Sequence, residues 1–227
     1  MHASPLHYFP LTGPFLLFLF VLFVVVIVLV QLGILEYAYA KIGIQRRYVF
    51  LLLLLSLLGS YVNIPVAQMR EKQVISNKVE TYWGVEYVVP EVEEWPQTII
   101  AVNVGGALIP TILSIYLLLK NGLYWQSLVG VAFVAAIVHQ LAHPVAGVGI
   151  AMPPLIPPFL AAGVALVLSR QATPALAYIS GSLGTLIGAD LLNLGIVQGL
   201  HAPVLSIGGA GTFDGVFLTG ILAVLLA

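Results

Sequence analysis

The chain has 227 residues, of which 60% are apolar and 7% are charged, and its mean hydropathy is +1.07. Such a chain has too little polar surface to dissolve in water, so lipid must be its solvent. Its net charge is -1 with only eight basic residues, which excludes a nucleic-acid partner, and the absence of cysteine excludes disulfides and thiolate sites. Composition therefore predicts an integral protein of the cell membrane.

Seven apolar segments approach the length of about 20 residues that a helix needs to cross about 30 Å of hydrocarbon. They cover approximately residues 14–36, 48–67, 98–119, 123–142, 155–169, 174–195 and 204–226. The first shows no signal-peptide cleavage pattern and is predicted to be retained, whereas the fifth is short and has four prolines at its start (Pro153, Pro154, Pro157 and Pro158), so it could be re-entrant. The sequence predicts an all-α polytopic fold of about seven transmembrane helices.

Three parts follow from this segmentation: residues 1–67 carry the first two helices, residues 68–97 form an extracytoplasmic insert, and residues 98–227 form a five-helix domain. Within the insert, residues 79–89 are rich in Val, Tyr and Glu around Trp83 and Gly84, which predicts a β-hairpin. The hairpin is either a lid that ties two helices together or an exposed strand edge that could pair with an extended peptide.

The basic residues predict the orientation in the membrane, because cytoplasmic loops retain Lys and Arg. Lys41, Arg46 and Arg47 follow the first apolar segment, Lys120 follows the third, and Arg170 follows the fifth. These connections are predicted to be cytoplasmic. The N-terminus and the insert are then outside, and the C-terminus is inside.

Asp190 and Asp214 are the only two aspartates, and both lie in apolar segments. An ionised carboxylate in a bilayer costs at least about 2.5–3.5 kcal/mol, so membrane proteins seldom retain one without a role. Counting the helical rise from the segment ends puts both residues at similar depth on consecutive, antiparallel helices, so the carboxyls could meet. Two such carboxyls share one proton and act as acid and base. The alternative is two separate carboxyls, each protonated and bonded to a neighbouring helix.

Small residues surround both aspartates. Those before Asp190 form a stripe that lets another helix approach closely: Gly181, Gly184, Thr185 and Gly188. Glycines 208, 209 and 211 weaken the helix before Asp214, so the seventh segment is predicted to be extended at first and to begin its helix near Thr212, which can cap it. Asp214 would then lie in a first helical turn, where the helix dipole favours its anion.

Two sequences here resemble motifs of the intramembrane aspartyl proteases of the presenilin and signal peptide peptidase type. Residues 189–192 (ADLL) resemble that family's Tyr-Asp motif, with Ala189 in place of tyrosine, and residues 209–214 (GAGTFD) resemble its Gly-x-Gly-Asp motif with two residues inserted. The resemblance covers about the last 55 residues. The family's Pro-Ala-Leu element, which follows the second aspartate, is missing, and a Pro-Ala-Leu at 174–176 precedes Asp190 instead. The whole chain is also similar to an uncharacterised family of archaeal and bacterial membrane proteins, which implies no activity.

The protease resemblance implies that Asp190 and Asp214 are catalytic and that the substrate is a transmembrane peptide. It also implies that no metal or organic cofactor is needed. The substrate would lie against the residues around the second aspartate: Gly209, Gly211, Thr212 and Gly215.

A zinc site is a rival interpretation, because His139 and His143 are spaced i, i+4 on one predicted helical face and Asp214 could supply a third ligand. Zinc proteases of this layout need a glutamate after the first histidine as general base, and this chain has Gln140. That substitution disfavours hydrolysis by zinc. The alternative is that one imidazole faces the outer surface before Pro144.

Transport is the more serious rival, because broken, Gly-rich helices beside paired carboxylates also build the midplane sites of proton- or cation-coupled carriers. Asn103, Asn193 and Thr219 could complete such an oxygen shell. A chain of this size would be small for a carrier unless it forms a homo-oligomer. A non-catalytic membrane scaffold, in which the insert binds a partner and the aspartates only hold helices together, is the third interpretation.

Overall fold

A computed structural model describes residues 20–25, 27, 33–69, 74–82, 85–93, 98–145, 149–195, 204–209 and 215–227. The helices are α1 (Ile34–Lys41), α2 (Arg46–Gly59), α3 (Ile109–Asn121), α4 (Tyr124–Leu141), α5 (Ile156–Leu168), α6 (Thr173–Thr185) and α7 (Gly215–Leu226). The strands are β1 (Asn63–Met69), β2 (Val74–Tyr82), β3 (Val85–Glu93), β4 (Thr98–Asn103), β5 (His143–Val145), β6 (Gly149–Ala151) and β7 (Val204–Ile207). Residues 20–25 and 27 are also helical.

Two of the helices are irregular at one end. The π-helical segment Val104–Leu108 leads into α3, and the π-helical segment Leu186–Asp190 follows α6 and passes into the 3-10 turn Leu191–Asn193. Single π turns are rare and often lie at functional sites. Both irregular segments lie inside predicted membrane segments.

Several helices could cross a membrane. Among the described residues, 104–121, 124–141 and 173–193 are long and apolar enough, and α1 with α2, bent by 109° at their junction, could count as a fourth span. Helices α5 and α7 are apolar but shorter. The prediction of seven spans is therefore not confirmed, and most of the first predicted segment lies outside the described residues.

The all-α prediction is incomplete, because three predicted membrane segments contain strands. Strands β1, β4 and β7 form one sheet in that order, with β1 antiparallel and β7 parallel to β4. The core strands β4 and β7 are rich in Ile, Val and Leu, and β-branched residues favour extended backbone. Hydrophobicity alone does not separate a short buried strand from a buried helix.

The predicted hairpin in the insert is confirmed. Strands β2 and β3 pair antiparallel from Val74 opposite Glu93 to Tyr82 opposite Val85. Trp83 and Gly84, around which the turn was predicted, lie outside the described residues. A second, shorter antiparallel pair joins β5 to β6.

Helix α6 is the centre of the bundle, and its small residues allow the close approach that the sequence predicts. A Cβ on Gly184 would lie 2.7 Å from the Cβ of Val134 in α4, and a Cβ on Gly188 would lie 2.5 Å from the carbonyl oxygen of Ala135. A Cβ on Gly181 would lie 3.3 Å from Ala161 in α5. Helix α6 and the π-helical segment that follows it, which contains Gly188, can therefore contact α4 and α5 only because these positions lack side chains.

We predict that Gly188→Ala destabilises the protein by about 1–3 kcal/mol, because the added methyl overlaps the backbone of α4. The matched control is Gly163→Ala in α5, where a Cβ would have no neighbour within 4 Å. This control should stabilise the helix by up to about 1 kcal/mol. Thermal unfolding of both variants in detergent measures the difference, and equal shifts would contradict the close packing.

Candidate functional site

The candidate site lies where the end of α6 meets the turn that follows β7. Asp190, the last residue of its π-helical segment, accepts a hydrogen bond at Oδ2 from the backbone N–H of Gly208, at 2.6 Å. The carboxyl group of Asp190 therefore holds the glycine turn that leads along the chain to Asp214.

That turn depends on two glycines with left-handed backbone. Gly208 has φ +83° and Gly209 has φ +84°, a region that side chains disfavour. A Cβ on Gly208 would lie 2.5 Å from the amide nitrogen of Ala107, and a Cβ on Gly106 would lie 1.9 Å from the carbonyl oxygen of Gly208. The turn thus packs backbone against backbone on the π-helical segment that leads into α3.

Asn103 links the end of α2, strand β1 and the π-helical segment that leads into α3. Its side chain is fully buried, and Nδ2 donates to the carbonyl oxygen of Ser60, at 2.7 Å, and to Oδ1 of Asn63, at 3.1 Å. Its Oδ1 accepts from the N–H of Gly106, at 2.8 Å, so Asn103 caps the segment that leads into α3. The hydroxyl of Ser206 in β7 lies 2.7 Å from the same Asn63 oxygen.

The capping role of Asn103 was missed in the sequence, which suggested this residue only as an oxygen ligand for an ion. An asparagine directly before a helical segment is a recognised start signal and could have revealed it. The signal was obscured because the residues before Asn103 read as part of the same apolar helix rather than as a strand.

Asn193 supports the backbone beside Asp190. Its buried side chain donates from Nδ2 to the carbonyl oxygens of Gly188 and Ala189, at 2.9 Å each. These carbonyls lie where the helix changes from π to 3-10 geometry and would otherwise lose their regular partners. Asn193 therefore stabilises the irregular end of α6 that carries Asp190.

Asp214, Gly211 and Thr212 lie outside the described residues. The seventh predicted segment does begin extended, as strand β7, and the described part of its helix covers Gly215–Leu226. The predicted helix start near Thr212 lies outside the described residues. Val216 in this helix belongs to one buried apolar cluster with Leu186 and Ala107. The described chain on both sides of Asp214, at Gly208 and at Val216, therefore packs at the segments that meet around Asp190.

The prediction that His139 and His143 lie on one helical face is wrong. Helix α4 ends at Leu141, Ala142 is extended, and His143 lies exposed at the start of β5. The helix ends there because Pro144 disfavours helical backbone in the residue that precedes it. Among the residues that the structure describes, no group of three His, Asp or Glu side chains could hold a metal ion.

The comparisons with known proteins identify a family but no activity. A family model described as "Protein of unknown function (DUF1614)" matches residues 57–226. The match begins near the end of α2, ends in α7, and includes every residue of the candidate site. No curated protein and no solved structure matches the chain.

We predict that Gly208→Ala destabilises the protein more than Gly122→Ala does. Both glycines have positive φ, +83° and +64°, so both substitutions add left-handed strain of about 1–2 kcal/mol. Only at Gly208 would the methyl also overlap backbone, at Ala107, which adds about 1–3 kcal/mol. Thermal unfolding of the two variants isolates the packing contribution, and an equal loss at both positions would show that the turn does not need this contact.

Proposed function

The chain belongs to the DUF1614 family, and we propose that Asp190 and Asp214 form a catalytic dyad that hydrolyses peptide bonds of membrane-embedded substrates. The observation that carries this proposal is the hydrogen bond from the Gly208 N–H to the Asp190 carboxyl group. It ties the first aspartate to the turn that leads to the second. The packing of Val216 in one cluster with Leu186 supports the same pairing from the other side of Asp214.

The chemistry needs only the two carboxyls and a water. One carboxyl is ionised and takes a proton from the water, whose oxygen attacks the peptide carbonyl carbon, while the protonated partner hydrogen-bonds to the carbonyl oxygen. The tetrahedral intermediate then loses its C–N bond as a proton passes to the leaving nitrogen. The products are a carboxylic acid and an amine, and the dyad again shares one proton.

Substrate binding in this proposal uses the residues around the second aspartate. Gly209, Gly211, Thr212 and Gly215 are the residues that would contact an unwound peptide, because glycine and other small residues let another backbone approach closely. The hairpin β2–β3 offers a strand edge with which such a peptide could pair. An extended peptide is the form that a protease must receive, because a helical backbone hides its carbonyls in hydrogen bonds.

We predict that Asp190→Asn and Asp214→Asn each lower cleavage of a helical reporter peptide by at least about 100-fold, because each removes an acid–base group. The amide oxygen introduced by Asp190→Asn can still accept the Gly208 N–H, so this variant should keep its fold. The matched control is Glu36→Gln, which removes a carboxyl that pairs with Arg46 away from the site. Mass spectrometry of products from purified protein in liposomes measures cleavage.

If the wild-type protein leaves every reporter intact, or if the aspartate variants cleave as well as the Glu36→Gln control does, the dyad is not proteolytic. A transition-state mimic with a hydroxyl at the scissile position provides an independent check. It should block cleavage by the wild-type protein and stabilise the wild-type protein against heat more than it stabilises either asparagine variant.

Proton- or cation-coupled transport is the second candidate. It is favoured by the interruption of regular helix on both sides of the Gly208 turn. Carriers place ions where discontinuous helices expose backbone and side-chain oxygens near the membrane midplane. The segments Val104–Leu108 and Leu186–Asp190 have this irregular character. A carrier should move protons or sodium into liposomes, lose that flux on Asp190→Asn, and cleave no reporter.

A further inference from the structure

A groove of about 620 Å³ lies between α2 and α3 and follows α3 from Ile109 to Lys120. Its wall is apolar and includes Leu51, Leu55 and Ile112, each of which is about half exposed. One end of the groove is polar and is formed by Gln45, Tyr48, Tyr116 and Lys120. This combination of an apolar channel and a polar mouth is typical of a site for an amphipathic molecule.

The length of the groove matches one leaflet of a bilayer. From Gln45 to Leu55 along α2 the rise is about 15 Å at about 1.5 Å per residue, and from Lys120 back to Ile109 along α3 it is similar. One leaflet contributes about half of a hydrocarbon core of about 30 Å. A molecule in this groove can therefore keep its polar end at the membrane surface and its apolar part inside one leaflet.

The mouth carries positive charge. The Nζ of Lys120 donates to the carbonyl oxygen of Gly43, at 2.7 Å, and lies 5.5 Å from the ring centre of Tyr116. The guanidinium of Arg47 lies 4.7 Å from the ring centre of Tyr48, which lines the groove. Arg46 forms an ion pair with Glu36, whereas within the described residues neither Arg47 nor Lys120 forms one.

We propose that this groove binds an anionic phospholipid, with an acyl chain along α2 and α3 and the headgroup phosphate at Lys120 and Arg47. An ammonium with three donors retains donors after one bond to Gly43, and a guanidinium binds phosphate oxygens in pairs. Basic pockets between membrane helices are suited to anionic headgroups, and tyrosines favour the interface at which the headgroup lies. The proposal is independent of the proposed protease activity because no residue that lines the groove belongs to the aspartate site, and the headgroup end lies at the opposite end of α3 from it.

The test uses the full chain purified in detergent and compares retained phosphatidylglycerol with retained phosphatidylcholine by native mass spectrometry. Wild-type protein should retain phosphatidylglycerol preferentially. Each basic residue near a membrane surface contributes about fivefold in affinity, so the double variant Arg47→Gln/Lys120→Gln should lose about 30-fold in its affinity for phosphatidylglycerol. Equal retention of the two lipids by the wild-type protein would overturn the proposal.

Arg170→Gln is the matched control, because it removes one exposed charge at the same end of the bundle but away from the groove. Helices α4 and α6 run parallel, with Gly130 against Ser180 and Val134 against Gly184, so the connection before α6 lies at the same end as the one before α4. This control should keep the lipid preference. If Arg170→Gln reduced phosphatidylglycerol retention as much as the single variant Arg47→Gln does, general surface charge, rather than the groove, would select the lipid.

Two further variants separate lipid binding from loss of structure, and a competition experiment tests the acyl-chain contact. Because Lys120 also holds the α1–α2 turn, Arg47→Gln alone should reduce phosphatidylglycerol retention about fivefold with an unchanged unfolding temperature. Ile112→Trp should fill the groove and reduce retention of both lipids without changing charge. Displacement of the bound lipid by excess glycerol phosphate would overturn the acyl-chain part of the proposal, whereas retention of the lipid would support it.

Discussion

The structure depends on the rule that backbone N–H and C=O groups cannot remain unpaired away from water, where each unpaired group costs several kcal/mol. This chain interrupts its helices before α3 and after α6, so both breaks need new partners. The side chain of Asn103 pairs the Gly106 N–H and the Ser60 carbonyl at the first break, and Asn193 pairs two carbonyls at the second. Strands β4 and β7 pair their extended backbones in parallel.

These pairings turn two local irregularities into one connected unit. The turn at Gly208 contacts the backbone at Gly106 and Ala107, and the same turn donates to Asp190. A residue larger than glycine at either contact would push the segments apart and weaken the bond to Asp190. The proposed protease and the alternative carrier share this unit. They differ in whether a water or an ion lies beside the carboxyls, and hence in whether a covalent bond is broken.

The two ends of α3 carry opposite chemistry. At its start, irregular backbone and Asp190 provide acceptors and a titratable acid. At its end, Lys120 and Arg47 provide positive charge beside an apolar groove. The distribution of basic residues predicts that this second end faces the cytoplasm, where anionic lipids are concentrated. The candidate site and the proposed lipid headgroup therefore lie at opposite ends of α3.

The sequence by itself determined the membrane character, the hairpin of the insert and the small-residue packing of α6, and it singled out Asp190. Composition, local patterning and the cost of a carboxylate in a bilayer are all properties of single segments. Only the tertiary structure decided that predicted helices begin as β4 and β7, because a short apolar run is compatible with helix or strand until a partner strand is present. It also decided that Asn103 is a cap and that Gly208 holds Asp190. Both interactions join residues from different segments, and the pattern within one segment carries no record of which backbone will lie beside it.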